Sequence, residues 1–324
     1  MKKKFLSAGL CLLAAVVWGS AFKVQEIASE NADKIDAFFF GGLRFLLGGI
    51  VLIPLWFIFE KERELSPEQK REKHKGSLIF GIITGAILFV ASALQQFGIQ
   101  MTGESGKAGF ITGMYLIFVP IFSLILFKQK PSPLVWGAVA FALAGLYFLC
   151  LGGGTFKIQL GDVLLLLCAF CFTAHIIAID KFIGRVSALR YSSIQFITVG
   201  VLNLTVGAIF GHVTWEGFVA VLGPILYCGF MSTGVAYTCQ IIGQKFTPPA
   251  VAALLFSTEG LFAVVFESIL EKTVPDKLAI LGCALMFVGI ILSQLPNPFE
   301  RLKRKKESVT AAPDTEGDSD NGEK

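Results

Sequence analysis

The chain has 324 residues, of which 54% are hydrophobic and only 16% are charged, and its formal net charge is +4. Soluble globular domains carry about 25% charged residues, so this composition, with a mean hydropathy of +0.69, excludes a soluble domain. The charges stand between apolar runs of roughly 20 residues, the length that spans the hydrocarbon of a bilayer. The chain is therefore predicted to be an all-α polytopic membrane protein.

The first apolar run lies in "MKKKFLSAGLCLLAAVVWGSA", which has the basic start, apolar middle and small residues of a signal peptide. The run continues past the potential cleavage site through Ala21 and Phe22, as a spanning helix does. We therefore interpret it as the first of ten transmembrane helices. Apolar segments of spanning length predict these helices near 5–24, 36–59, 77–100, 106–127, 132–151, 160–180, 190–210, 217–242, 249–270 and 276–295.

Lysine and arginine residues are divided unevenly between alternate connections. With the N-terminus inside, 20 of them fall on inside segments and 5 on outside loops. Because cytoplasmic loops carry an excess of these residues, both termini are predicted to face the cytoplasm, in the cell membrane. The longest connection is predicted at 60–76. The tail 296–324 is predicted to be disordered, with its basic part, "RLKRKK", lying on anionic membrane lipid.

The chain also repeats itself weakly. The stretch "AAVVWGSAFKV" (14–24) is similar to "CAFCFTAHIIA" (168–178), and Arg44-Phe45 falls where Gln195-Phe196 does. These matches predict two five-helix halves, 1–152 and 160–295, joined near residues 152–161. An odd number of spans in each half turns the second copy upside down, and such inverted repeats are typical of secondary transporters.

Several longer stretches carry a family resemblance. They are "LLAAVVWGSAF", "FFFGGLRFLLGGIVL", "SGKAGFITGMYLIFVPIFSLIL", "WGAVAFALAGLYFL" and "GDVLLLLCAFCFTAHIIAID". Over residues 5–295 the chain resembles the EamA-type transporters of the drug/metabolite transporter superfamily. The resemblance implies ten helices in two inverted five-helix repeats and export of small metabolites. The chain departs from the family pattern at Gly260, where a proline often follows the glutamate of the ninth helix.

Arg44 is a charge within the second predicted span, eight residues after Asp36 and so about 12 Å along the helix. Ionisable residues inside a membrane are costly and usually functional. Three roles are open to it: pairing with a carboxylate, snorkelling to the interface, or binding an anionic group of a substrate. Its position matches the second-helix arginine that the family resemblance implies.

Glu259 and His175 are two further ionisable candidates within spans. Glu259 lies near mid-bilayer in the ninth span, where a carboxylate suits proton coupling or amine binding, or else a protonated role in helix packing. His175 lies in the sixth span and titrates near neutrality in water, which suits a proton relay. A hydrogen-bonded histidine between helices is the alternative.

Aromatic and amide side chains supply the remaining candidates. Trp18, Tyr115 and Tyr237 suit stacking on a substrate, although such residues also serve packing and interfacial belts. The family resemblance implies that the Trp18-Gly19 pair faces the interior. Gln96 belongs to a set of amides within spans that either bridge helices or line a wet cavity; the others are Gln95, Gln195 and Gln240.

The sequence shows no motif for a cofactor, a metal or a catalytic triad. Seven cysteines all lie in apolar runs and are interpreted as small hydrophobic residues. Cys168-x-x-Cys171 has no second pair to complete a zinc site. We therefore predict no cofactor, and no nucleic-acid partner, since the basic charge belongs to the cytoplasmic face.

The predicted function is secondary transport of a small-molecule substrate by alternating access. Arg44 and Glu259 offer opposite charges in a cavity between helices one to four and six to nine, which suits export of a zwitterionic or amphipathic metabolite such as an amino acid. Two alternatives stand beside it. A membrane-embedded enzyme acting on lipid-linked substrates needs catalytic groups clustered at one interface. A non-transporting scaffold or sensor needs an Arg44–Glu259 pair and no cavity. Monomer and dimer both remain open.

Overall fold

A computed structural model describes residues 2–60, 65–151, 158–272 and 274–295, and these residues are almost entirely helical. The predicted tail 296–324 and residues 152–157 of the predicted connection lie outside the described residues. Within them the only extended pairing is an isolated bridge between Ile35 and Val213. Fourteen α-helices follow one another: Lys2–Ser29 (α1), Ala37–Phe59 (α2), Pro67–Thr102 (α3), Ser105–Thr112 (α4), Tyr115–Phe127 (α5), Pro133–Leu151 (α6), Leu160–Phe182 (α7), Ala188–Phe210 (α8), Trp215–Ala220 (α9), Leu222–Tyr227 (α10), Thr238–Gln244 (α11), Pro249–Phe256 (α12), Glu259–Glu271 (α13) and Lys277–Gln294 (α14).

The described residues contain nine helical stretches that are long and apolar enough to cross a membrane. They coincide with nine of the ten predicted spans, and the remaining predicted span, 132–151, is a shorter apolar helix over Pro133–Leu149. The chain is therefore a multi-pass helical membrane protein, as its composition predicted.

The predicted connection at 60–76 was wrong in its second half. Helix α3 begins at Pro67 and runs for 36 residues, which is about 54 Å at 1.5 Å per residue. Its start is set locally, because Ser66 and Gln69 form a reciprocal capping box and Pro67 takes the first helical position. Strong capping therefore keeps this charged segment helical beyond the roughly 30 Å of hydrocarbon.

Two of the spans are broken in the same way. In one, α4 and α5 are separated by Gly113 and Met114; in the other, α12 and α13 are separated by Ser257 and Thr258. The first helices of the two pairs both have 8 residues and the second helices both have 13. The helices α5 and α13 also end alike, at Lys128 and Lys272, whose φ angles are 54° and 56°. These are the two non-glycine residues with positive φ in the described part of the chain.

The helices α2 and α8 pack by exchanged contacts. A Cβ added at Gly49 of α2 would lie 2.8 Å from Ile197, and one added at Gly200 of α8 would lie 2.6 Å from Leu46. Leu46 precedes Gly49 in α2 by the same number of residues as Ile197 precedes Gly200 in α8. The two contacts are therefore equivalent, with the roles of the two helices exchanged. Both glycines allow a close backbone approach, which membrane helices use in place of a hydrophobic driving force.

The span between Leu222 and Gln244 is not a regular α-helix. Between α10 and α11 the chain forms a π-helix over Cys228–Tyr237. Such segments are rare and are found frequently at functional sites. This one packs closely on α2, since a Cβ at Gly229 would lie 2.6 Å from Leu47, and its last residue, Tyr237, is buried in the protein interior.

Contacts between helix ends divide the molecule into two faces. On the face where α1 begins, called the N face, Glu60 accepts from the Leu189 amide at 2.6 Å and the Ser77 hydroxyl accepts from the Ser187 amide at 3.0 Å. On the other, called the far face, Lys34 pairs with Glu216 at 2.6 Å.

Candidate functional site

A small cavity lies at the centre of the helical bundle, where the broken spans meet α1 and α2. It contains only about 30 Å³ that the centre of a water molecule can reach, and one such position needs about 10–15 Å³. The cavity therefore has room for a few waters and is too small for a metabolite. Its walls are formed by Trp18, Phe22, Gln25, Arg44, Gln95, Tyr115, Phe172, Ile176, Ser232, Tyr237, Gln240, Phe256 and Glu259.

Arg44 brings a positive charge to this wall and is 3% exposed. Its guanidinium lies over the rings of Phe40 and Phe45, with 5.5 Å and 4.8 Å to the ring centroids. Its Nε is buried and has no hydrogen-bond partner. Among the described residues no carboxylate lies within 4.0 Å of it. The side chain is thus turned inward, without the carboxylate partner that one of its three open roles requires.

Glu259 brings a carboxyl group to the wall, and Tyr115 forms a hydrogen bond to it. Each is the first residue of the helix that follows the break in its span. The Tyr115 hydroxyl donates to Glu259 Oε1 at 2.9 Å. A carboxylate at a helix N-terminus is also favoured by the helix dipole. The two residues are separated by 144 positions, the same separation as that between Lys128 and Lys272.

Aromatic rings line the cavity between Arg44 and Glu259. Trp18 makes edge contacts with Tyr237 at 4.8 Å and with Phe256 at 5.5 Å, measured between ring centroids. The Trp18 indole N–H donates to the Ser232 carbonyl of the π-helix at 3.3 Å. Tyr237 also lies 5.9 Å from the Phe45 ring, which itself lies under Arg44. The ring cluster therefore fixes the guanidinium from one side and leaves the cavity on the other.

His175 and Gln96 lie behind the wall. His175 is fully buried, with its Nε2 3.2 Å from Gln195 Oε1, and its ring meets Tyr237 edge-on at 6.3 Å. Gln96 donates to the Ser29 hydroxyl at 2.9 Å and so ties α3 to α1. The structure thus brings four of the six predicted site residues into the cavity wall, namely Trp18, Arg44, Tyr115 and Glu259.

On the far face, α1 closes over the cavity against α13; this contact is called the far-face interface. A Cβ at Gly19 would lie 2.8 Å from both the Ala263 nitrogen and the Glu259 carbonyl, so the two backbones touch. One turn further out, Lys23 pairs with Glu26 at 2.9 Å and with Glu271 at 3.1 Å. Glu267 approaches the same lysine at 3.9 Å.

A second ion pair reinforces this face. Lys107 of α4 meets Asp162 of α7 at 2.8 Å, and each side chain is 6% exposed. Asp162 also accepts from the Gln159 amide at 2.8 Å, which holds the carboxylate at the start of its helix. Because a buried charge without its partner is strongly unfavourable, this pair ties α4 to α7.

Comparison with known proteins decides the family. The sequence model of the EamA-like transporter family matches residues 6–151 and 159–295. The chain belongs to the EamA-like transporter family. Together with the helices of spanning length, this membership supports a membrane transporter.

Individual relatives cover nearly the whole of this EamA-like chain. It is 27% identical to an uncharacterized transporter of Archaeoglobus fulgidus, over 91% of this chain and 87% of the relative. It is 25% identical to the uncharacterized transporter YwfM of Bacillus subtilis, over 93% and 96%. A solved crystal structure with 17% sequence identity matches with a TM-score of 0.67 over 90% of this chain and 98% of that one, which shows a shared fold.

Several wall residues of the EamA-like transporter were missed by sequence reasoning, among them Gln25, Ser232 and Phe256. Of the amides named from the sequence, Gln95 and Gln240 line the cavity and Gln96 does not; Gln95 and Gln96 differ because successive helical residues point about 100° apart. The partners of Lys23 were also missed, since the register of α1 against α13 is a tertiary property. Tyr237, named from the sequence as a stacking candidate, lies in the cavity wall.

Proposed function

We propose that this EamA-like protein is a secondary transporter that exports a zwitterionic or amphipathic small metabolite, such as an amino acid, by alternating access. One observation carries the proposal: Arg44 and Glu259, of opposite charge, line the same buried cavity without forming an ion pair with each other. Two unpaired, oppositely charged groups in a hydrocarbon environment are costly. A bound ligand that carries both charges compensates them.

The proposed binding mode follows from the wall. The buried Arg44 Nε has no protein partner, and a guanidinium matches the planar geometry of a carboxylate. Glu259, aligned by Tyr115, receives the ammonium group of the substrate or a coupled proton. Trp18 and Phe256 provide the apolar surface for the remainder of the metabolite.

The proposed architecture is ten transmembrane helices in two inverted repeats, 1–152 and 160–295, with Pro133–Leu149 as the additional span. It is supported by the equal lengths of the broken helices, by the matched ends at Lys128 and Lys272, and by the exchanged contacts of α2 and α8. Helices α6 and α14 exchange contacts as well: a Cβ at Gly145 would lie 2.7 Å from the Gly282 carbonyl, and one at Gly289 would lie 2.8 Å from that of Ala138.

Alternating access is supported by the size of the cavity. A space for a few waters does not admit a metabolite, so binding requires the helices around it to separate. We place the N face in the cytoplasm, because the excess of lysine and arginine falls there. In this orientation the closed far face is external, and substrate enters from inside.

The scaffold alternative is not favoured by the geometry of the site. It requires an Arg44–Glu259 ion pair and no cavity, and the described residues have a cavity and no such pair. The oligomeric state does not enter the proposal, because all the wall residues belong to one chain.

Uptake into proteoliposomes tests the proposal. The full chain is reconstituted and offered a panel of radiolabelled amino acids and related amphipathic metabolites, with and without a proton gradient. We expect accumulation of at least one compound, and at least a tenfold loss of its uptake in Arg44→Ala and in Glu259→Gln, since each loses one charge contact worth about 1.5–3 kcal/mol.

Matched controls separate a site effect from a charge effect. Arg190 also lies over an aromatic ring, 5.4 Å from the Trp56 centroid, and its Nε is likewise buried without a partner. It does not line the cavity. Arg190→Ala and the exposed Glu216→Gln are expected to keep parental uptake. Undiminished uptake by Arg44→Ala, in protein that remains folded by size-exclusion chromatography and circular dichroism, would show that the site is wrongly assigned.

A further inference from the structure

An apolar groove opens between α5 and α7 on the N-face half of the bundle. The volume that the centre of a water molecule can reach in this groove is about 590 Å³, against about 30 Å³ in the central cavity. The walls that matter here are Phe122 and Phe127 of α5 and Phe170, Ala174, Ala178 and Lys181 of α7. None of these residues lines the central cavity. The groove is therefore a separate feature on the outer surface of the bundle.

The position of the groove fixes the kind of molecule that fills it. Phe127 and Phe170 are 41% and 39% exposed, and their neighbours Ile125 and Leu126 are 67% and 60% exposed. All four lie on segments that are long and apolar enough to span a membrane. The solvent at such a surface is lipid hydrocarbon, so an acyl chain is the occupant that matches the apolar walls.

The rim of the groove carries a cation. Lys181, in the last turn of α7, places its Nζ 4.0 Å from the centroid of the Phe127 ring. Among the described residues no carboxylate lies within 4.0 Å of this Nζ. The adjacent Asp180 interacts both with the charge of Lys181 and with the Gln129 side chain. Lys128, exposed at the end of α5, adds a second positive charge beside Phe127.

We propose that this groove is a binding site for an anionic phospholipid, with one acyl chain between α5 and α7 and the phosphate at Lys181. Basic pockets between transmembrane helices bind anionic headgroups, and the acyl chain adds affinity with each buried methylene. A zwitterionic phosphatidylcholine offers the same chain but no net charge to the lysines. The site therefore selects by headgroup charge.

Helix α7 lines both the groove and the central cavity, so a lipid bound in the groove is positioned to affect the proposed transport site. Phe172 and Ile176 face the central cavity, while Ala174 and Ala178 face the groove on the same two turns. A lipid chain in the groove holds α5 and α7 apart at the N face. The binding itself does not depend on the proposed transport function.

Native mass spectrometry of the full chain in detergent tests the site. Phosphatidylglycerol and phosphatidylcholine of identical acyl chains are titrated onto delipidated protein. We expect phosphatidylglycerol to bind preferentially, and Lys181→Gln to retain it about fivefold less well, since one lysine near a membrane surface contributes about 1 kcal/mol. Ala174→Phe, which fills the groove without removing charge, is expected to reduce retention of both lipids.

Lys245→Gln is the matched control, because Lys245 also sits over an aromatic ring, 5.7 Å from the Phe246 centroid, away from the groove. It is expected to retain phosphatidylglycerol as the parent does. Equal binding of the two lipids by the parent, parental retention in Lys181→Gln, or an equal loss in Lys245→Gln would each overturn the proposal. Lys181→Gln changes only a rim residue, so the test does not depend on Ala174→Phe folding.

Discussion

The far-face interface between α1 and α13 and the N-face interface between α5 and α7 involve corresponding segments of the two proposed repeats, yet they close to different degrees. At the far face, the backbone of α1 at Gly19 touches α13, and Lys23 ties the helix ends together. At the N face, α5 and α7 meet through the stacked rings of Phe118 and Phe170, 4.2 Å apart, and then diverge into the groove.

In the proposed transport cycle, the difference between these interfaces corresponds to a state in which the far face is closed. Equivalent segments with unequal closure are the expected result when one sequence unit, used twice in opposite orientations, serves a two-state transporter. Residues at equivalent positions differ accordingly: Lys107 of α4 forms a buried ion pair, whereas its counterpart in α12 is the apolar Val251. The far face therefore has a buried ion pair at a position where the equivalent helix carries an apolar residue.

The largest expected loss of stability comes from breaking the buried Lys107–Asp162 pair. Lys107→Gln leaves Asp162 buried without its partner, which costs about 3–5 kcal/mol. We expect a lower denaturant midpoint for the protein in detergent micelles, and partial recovery in the Lys107→Gln/Asp162→Asn double variant. A midpoint no lower than that of Lys34→Gln, an exposed lysine on the same face, would contradict this role for the pair.

A smaller effect is expected from forcing the far-face interface apart. Gly19→Leu puts a side chain where α1 touches the α13 backbone, and overpacking of this kind costs about 1–3 kcal/mol. The thermal midpoint of the variant should fall, whereas Ala174→Leu in the open groove should leave it nearly unchanged. Equal responses of the two variants would remove the contrast between the interfaces.

Lys23→Gln should shift the equilibrium between states with less effect on stability. Its partly exposed ion pairs contribute up to about 1 kcal/mol, so the variant should populate the far-face-open state up to about fivefold more. A cysteine placed at Gln25, in a background without native cysteines, reports this as faster reaction with a membrane-impermeant maleimide. An unchanged rate relative to Lys34→Gln would show that Lys23 does not hold the interface closed.

The smallest effect is expected at the exposed Lys34–Glu216 pair. The hydrogen bond and charge of Lys34 lower the pKa of Glu216, and those of Glu216 raise the pKa of Lys34. Because the pKa of Glu216 is lower in the folded state, the pair contributes stability at pH values above the ordinary glutamate pKa. This contribution is lost as the pH falls through the folded-state pKa. Glu216→Gln should therefore differ from the parent only slightly, at neutral pH, in thermal unfolding. A clear loss would mean that this loop contact supports the far face.

The helical class and most of the spans could be predicted because they depend on local hydropathy over about 20 residues. The extension of α3 to Pro67 was also encoded locally, in the capping sequence "SPEQ", and was overlooked because its charges suggested a loop. Arg44 and Glu259 lie in one cavity wall, and the binding role drawn from their charge and depth stays a prediction.

What could not be predicted depends on how helices approach one another. The π-helix forms where the chain packs closely against α2, and no local residue pattern predicts it. The burial of His175 behind Tyr237 follows from the rotation of α7 about its axis. The Lys23 cluster requires α1 and α13 to lie in one particular register. Each of these is a long-range property that periodicity within one helix does not contain.

The most direct test of alternating access is whether the N-face interface closes when the far-face interface opens. Nitroxide pairs across the far-face interface, at Ile27 and Ile269, and across the N-face interface, at Leu126 and Ala178, are measured by dipolar electron paramagnetic resonance in liposomes. In Lys23→Gln we predict that the far-face pair gains a longer distance while the N-face pair gains a shorter one. A far-face change with an unaltered N-face distribution would contradict alternating access through these interfaces.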